Sequence, residues 1–148
     1  MLESRYRQFK MEVIVMIENR KQQHIGIFTP DIPKMIKFYT EELGFVLYQE
    51  GHTDVLGVDF AFVGSEDKSI MFELLHIPGN TEMGADGQLD HFCFDSQDIE
   101  ADYAECVKRG YKFDTDGIIF LPEMWDNGVK FFKFFSETGQ IVEYAQIL

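Results

Sequence analysis

Four residues of this chain are of types that bind divalent metal ions, and they fall into two matched pairs: His24 with Glu73, and His91 with Glu143. The histidines stand 67 residues apart and the glutamates 70. Each lies in a short apolar run with the character of a β-strand. Side chains alternate along a strand, so residues two apart share a face. His24 then shares a face with Gly26 and Phe28, Glu73 with Met71 and Leu75, His91 with Cys93, and Glu143 with Ile141 and Ala145. These faces are apolar and should be buried. A buried carboxylate without a partner is costly, so each glutamate needs a counter-charge or an ion. Taken singly, each residue also reads as a satisfied core histidine or a solvated glutamate. Two imidazoles and two carboxylates at equivalent places of a duplicated frame suit one shared ion. Ni²⁺, Co²⁺, Mn²⁺, Fe²⁺ and Zn²⁺ all accept such a ligand set.

The elements that must position these groups are legible as a repeat. After the strand at His24, Asp31 is a plausible N-cap and Pro33 suits the first helical turn. Ile32, Met35, Ile36, Tyr39 and Leu43 recur at helical spacing, and Gly44 falls where a left-handed cap would close the helix. Strand-like runs follow at Phe45–Gln49, Val55–Val63 and Ser69–Leu75. The second half starts at His91. A helix capped by Asp95 or Ser96 should run to about Arg109, with Gly110 closing it, and strands are expected at Tyr111–Asp114, Val129–Phe135 and Ile141–Gln146. Asp31-Ile32 matches Asp98-Ile99 at the same offset as the histidines, and Ser65-Glu66 matches Ser136-Glu137. A duplication of this length implies two copies of one supersecondary unit. The expected division is an N-terminal extension over 1–22 and one domain over 23–147, made of module 1 (23–76) and module 2 (90–147). Leu2, Tyr6, Phe9 and Val13 give the extension the spacing of an amphipathic helix, and a frayed tail is the other reading.

Composition narrows the function classes. The 148 residues are 45% hydrophobic and 15% aromatic, enough for a real core. The formal net charge of −13 disfavours nucleic acid and anionic lipid, both of which want a basic surface. No run approaches the roughly 20 apolar residues of a membrane span, and Val13–Ile17 is too short for a signal-peptide core. Cys93 and Cys106 are too few for a disulfide scaffold, so the expectation is a cytoplasmic protein with reduced thiols.

The runs His24-Ile-Gly-Ile, Asp31-Ile, Lys37-Phe-Tyr and Leu43-Gly-Phe resemble the first module of the vicinal oxygen chelate superfamily. Asp90-His91, Asp98-Ile99 and the stretch from Lys130 to Glu143 resemble its second module. The resemblance covers about residues 23–147. It implies an α+β fold of two paired βαβββ modules whose eight strands form a metal-binding cup. Within that superfamily the set His24, Glu73, His91, Glu143 looks most like glyoxalase I, which implies one divalent ion on these four residues. It further implies lyase or isomerase chemistry through a metal-stabilised enediolate, with Glu143 or Glu73 as the base and a small oxygenated molecule as substrate. Similarity to the short bacterial members implies a homodimer, with His24 and Glu73 of one chain meeting His91 and Glu143 of the other. Glutathione-dependent relatives commonly carry an arginine and an asparagine where this chain has Phe28 and Ile77, so glutathione hemithioacetal is not the expected substrate. An Fe²⁺ dioxygenase and a non-catalytic small-molecule binding or resistance protein are the alternatives.

Four further residues are candidates for the substrate pocket. Phe28 lies on the His24 face. Cys93 lies on the His91 face, as a small filler rather than a nucleophile. Lys133 alternates with Phe132 and Phe134, so it enters the cup if those rings pack on a helix, or else reaches water from a strand edge. Trp125, with Phe120 and Met124, either roofs the pocket or simply packs within the loop 116–128.

Overall fold

A computed structural model describes residues 20–148, and the expected helix through Leu2, Tyr6, Phe9 and Val13 lies outside them. The first half runs β1 (Gln22–Phe28), α1 (Ile32–Lys37), β2 (Val46–Thr53), β3 (Val58–Gly64) and β4 (Met71–His76). The second runs β5 (Leu89–Asp95), α2 (Ile99–Arg109), β6 (Ile119–Leu121), β7 (Val129–Phe135) and β8 (Ile141–Ile147). All eight strands share one sheet in the order β2-β3-β4-β1-β5-β8-β7-β6. Within each half the first strand lies parallel to the last, and the halves join where β1 runs antiparallel to β5. Two βαβββ units thus sit side by side about a pseudo-two-fold axis at the β1–β5 seam.

Alternation sends each strand's side chains into two different cores. Phe60 and Phe62 of β3, Leu75 of β4, Cys93 of β5, Phe131 of β7 and Ala145 of β8 fill the concave side. Ala61, Val63 and Leu74 face outward onto Ile32 and Tyr39. Phe132, Phe134 and Tyr144 face outward onto Ile99 and Cys106 of α2. Burial on both faces explains why β3 and β7 read as near-continuous apolar runs.

Both helices begin at an aspartate in the same extended conformation. Asp31 accepts from the Lys34 N–H and Asp98 from the Ala101 N–H. Asp98 therefore replaces the expected cap at Asp95 or Ser96. Ser96 instead donates to Asp102, which also holds Arg20 at 2.7 Å. The first helix does reach Glu42, but its last turn, Phe38–Glu42, widens to a π-helix. Phe45 N–H closes that turn on the Tyr39 carbonyl, with Gly44 at φ 68°.

The strand expected at Tyr111–Asp114 is not there. Phe113 makes one isolated bridge to Phe134, while its ring packs on Tyr103 and Phe132. The pairing strand is β6, inside the stretch read as a loop. Lys112 and Asp114 hydrogen-bond to Phe135 and Lys133 of β7 around that bridge, aromatic packing holds the Phe113 ring on the helix side, and the continuous ladder starts only after the turn at Gly117 (φ 76°).

Candidate metal centre

The cup's floor is the β1–β5 seam with its parallel neighbours β4 and β8, and each of these four strands places one polar side chain there. His24, Glu73, His91 and Glu143 are all buried, between 1% and 6% exposed. One nitrogen of His24, one of His91 and one oxygen of Glu143 lie within 4.8 Å of one another. Glu73 lies outside that trio's mutual limit but meets both rings, at 3.2 Å from His24 Nε2 and 3.3 Å from His91 Nε2. Glu143 stands 3.6 Å and 3.5 Å from the same two nitrogens. All four belong to one chain. In this structure β1 and β5 pair within the chain; the shared-site arrangement expected from the resemblance would make the same pairing between two chains.

A second layer fixes the rings. His24 Nδ1 lies 3.1 Å from Gln23 Oε1, and His91 Nδ1 lies 2.7 Å from Asp90 Oδ2. With Nδ1–H donating outward, each ring turns its Nε2 toward the centre, the arrangement a metal-binding imidazole needs. Lys133 Nζ also lies 3.2 Å from His91 Nδ1, but both are donors in this tautomer. Its hydrogen bond therefore goes to Asp90 Oδ2 at 3.3 Å. Glu143 Oε2 is 3.7 Å from the same ammonium.

The electrostatics call for added positive charge. The Nε2 atoms of the two histidines are 3.1 Å apart and face two carboxylates. Such a set is self-repelling unless a proton or a cation lies among it. Burial works against ionising Glu73, yet the charges and hydrogen bonds of His24 and His91 outweigh it and hold that carboxyl far below its usual range. Burial likewise opposes a charged His91. The Glu143 charge and the hydrogen bonds of Asp90 and Glu73 overcome this and lift His91 to about 9. Burial also opposes ionising Asp90, but His91 and Lys133 keep it below the usual carboxylate value. With both imidazoles neutral, as ligation requires, Glu73, Glu143 and Asp90 outnumber Lys133 by two charges, so a divalent cation can take the place of the His91 proton and the donor set fits it in both atoms and charge.

Gly26 lies beside His91 across the seam. A Cβ there would fall 2.0 Å from His91 Cε1, inside the ring. Only glycine leaves the imidazole its place. Gly26→Ala should push His91 off the centre and weaken metal binding by on the order of 10–100-fold, the range for disturbed supporting groups. Equilibrium titration with Zn²⁺ or Co²⁺ would measure it.

The pocket candidates divide. Lys133 does enter the cup, since Phe132 and Phe134 pack on α2. Burial opposes its charge, but Glu143, Asp90 and Glu73 raise its pKa. Cys93 is fully buried beside Glu143, and burial together with that carboxylate drives its thiol well above the usual value, so it fills space as an uncharged group. Trp125 lines the cup with Met124, its ring 4.7 Å from that of Phe62. Phe120 is 45% exposed and takes no part in roofing the cup. Phe28 packs on the cup's apolar cluster and borders a separate outer cleft of about 500 Å³ between residues 83–90 and the turn at Thr138–Ile141. Sequence reasoning assigned no role to Gln23, Asp90 or Gly26. The residue preceding each histidine is polar, and Gly26 is two residues from His24 on its face, and these are the signals that could have found them.

A family model described as the glyoxalase/bleomycin resistance protein/dioxygenase superfamily matches residues 21–144. The uncharacterized protein YwbC of Bacillus subtilis (strain 168) is 33% identical over 129 residues, covering 86% of this chain and 98% of that protein. Among solved structures, a hypothetical protein from Bacillus halodurans C-125 superposes with a TM-score of 0.72 at 20% identity, over 88% of this chain and 96% of that one. Methylmalonyl-CoA epimerase from Mycobacterium tuberculosis gives 0.73 at 15% identity, over 90% and 94%. A mutant of 4-hydroxymandelate synthase from Streptomyces coelicolor gives 0.64 at 18% identity, over 86% of this chain and 48% of that one. At these identities the solved structures speak for the fold alone.

Proposed function

Since the chain belongs to the glyoxalase/bleomycin resistance protein/dioxygenase superfamily, we propose that it is a divalent-metal-dependent lyase or isomerase of glyoxalase type. The observation that carries this reading is the convergence of two Nε2 atoms and two carboxylates on the cup floor, with a negative charge of two left over once both rings are neutral. His24, Glu73, His91 and Glu143 would hold the ion, which would supply Lewis acidity to neighbouring substrate oxygens. Glu73 and Glu143 are the carboxylates placed to take a proton from the adjacent carbon. Gln23 and Asp90 keep the imidazoles aimed. Lys133 offers an ammonium to a substrate anion, and Phe62, Trp125 and Leu75 exclude water around the reacting centre. Two buried, unpaired cysteines agree with a cytoplasmic protein. Among the described residues no helix is long and apolar enough to cross a membrane. A closed homodimer is part of the proposal, to be checked by sedimentation, although one chain already supplies every ligand.

The test is proton–deuterium exchange on small 2-hydroxycarbonyl compounds with metal-loaded protein. Exchange at the carbon beside the carbonyl is expected. Glutathione hemithioacetal should be turned over weakly or not at all, because Phe28 and Ile77 present apolar surface to the cup's cluster. A kcat/KM at or above roughly 10⁴ M⁻¹s⁻¹ on that substrate would overturn the exclusion.

One observation favours a second reading. The trio His24, His91 and Glu143, without Glu73, has the two-histidine, one-carboxylate composition of non-haem Fe²⁺ oxygenase sites. Substrate-dependent O₂ consumption by the Fe²⁺-loaded protein would favour it over the isomerase.

A further inference from the structure

Little room is left in the cup in this structure. The cavity lined by His24, Glu73 and Glu143 is about 30 Å³, room for two or three water molecules at about 10–15 Å³ each. What fills the mouth is the stretch from Ile119 to Gly128. Its strand β6 is the sheet's outermost and pairs with β7 over three residues. Leu121 ends β6 buried, and beyond it the chain crosses the opening, burying Met124 and laying Trp125 against Phe62 of the opposite half.

One side chain ties this stretch down from the far side. Gln49 belongs to β2, the strand at the other end of the sheet. Its Oε1 accepts the Trp125 N–H at 2.8 Å, and its Nε2 donates to the Glu123 carbonyl at 3.1 Å. One amide therefore grips two backbone groups of the crossing segment and bridges the two edges of an open sheet. Trp125 itself sits at φ 60°, a conformation that a bulky residue keeps only when its surroundings hold it there.

We propose that residues 119–128 form a gate over the centre, with Gln49 as its latch and Trp125 as its plug. Ligand and ion reach the cup floor when the Gln49 amide releases the Trp125 N–H and the Glu123 carbonyl and the indole swings off Phe62. The gate rests on the metal-centre reading only for what lies beneath it. A gate changes the rate of passage in both directions by the same factor and leaves the affinity of the site untouched, which separates it from a structural support for the ligands.

Two readouts on the full-length protein test it. Trp125 is the chain's single tryptophan, so acrylamide quenching of its fluorescence reports the plug directly and needs no metal. Gln49→Ala, and Gln49→Met, which keeps the shape and removes both hydrogen bonds, should each raise the quenching constant several-fold with an unchanged far-ultraviolet circular dichroism spectrum. In the Zn²⁺-loaded protein, both variants should speed uptake and removal by excess chelator about tenfold each, as expected for losing two hydrogen bonds, with the equilibrium affinity unchanged. Unaltered quenching in the folded variants would overturn the gate. So would faster release without faster uptake, which would make Gln49 a support for the ligands. A parent protein that binds no ion would sink the metal-centre reading, and the quenching comparison would still decide the gate.

Discussion

Glu143→Ala should remove most of the metal-dependent stabilisation of this protein. The parent should melt higher as Zn²⁺ or Co²⁺ is added, because an ion bound only by the folded state stabilises it by about 4 kcal/mol at a thousand times its dissociation constant. Structural zinc sites supply roughly 10–16 kcal/mol across their ligands, so one ligand's share corresponds to a loss of on the order of a hundredfold or more in affinity. His91→Ala should behave alike. The metal-free variants should respond differently from the metal-loaded ones. Removing Glu143 also takes away the charge that does most to hold the His91 proton, so the metal-free Glu143→Ala protein should be less stable than the metal-free parent at neutral pH. At the ion concentration that gives the parent about 4 kcal/mol it should gain about 1 kcal/mol or less. A variant that keeps the parent's metal-induced shift in melting temperature would remove Glu143 from the site.

The second large effect is one of pH. His91 carries its proton up to about pH 9 in the folded, metal-free protein, against 6.5 for an ordinary histidine. The folded-state value is the higher one, so this charge stabilises the fold fully below about pH 6.5. The contribution drains away as the pH rises through about 9. The shift corresponds to about 3 kcal/mol, at 1.36 kcal/mol per pH unit. Chemical denaturation of metal-free protein should therefore show stability falling across that window. Metal binding needs the neutral ring and must expel the proton. Calorimetry at pH 7 in two buffers of different ionisation enthalpy should register about one proton released per ion bound, and affinity should climb roughly tenfold per pH unit until about pH 9. Binding with no proton release would show that His91 is not a ligand.

Much of this was legible from the sequence because the duplication constrains both halves at once. Matched residues at fixed offsets, combined with strand alternation, placed His24, Glu73, His91 and Glu143 on buried faces, and the structure brings those four side chains together. The repeat also carries the helix start: Asp98 stands at the position of Asp31, and both cap their helices in the same conformation, although Asp95 and Ser96 are cap-type residues nearer the preceding strand. The error at Tyr111–Asp114 has a different origin. That run has strand composition, but the Phe113 ring is claimed by Tyr103 and Phe132, and tertiary packing overrides local preference. The orientation of Lys133 followed once Phe132 and Phe134 were known to face a helix. The Gln49 latch was beyond reach, because it joins residues that only the closed curvature of the sheet brings together. Linker length left the pairing of modules open, and direct hydrogen bonding of β1 to β5 places all four polar residues in one chain.

Elemental analysis decides whether the cup floor holds one divalent ion per chain. Protein stripped with chelator, reloaded with Zn²⁺ or Co²⁺ and desalted should carry about one ion per chain. A protein with His24, Glu73, His91 and Glu143 all replaced by alanine should carry none. Parent protein that retains no divalent ion after loading, or as much as the fourfold variant, would contradict a metal centre on the cup floor.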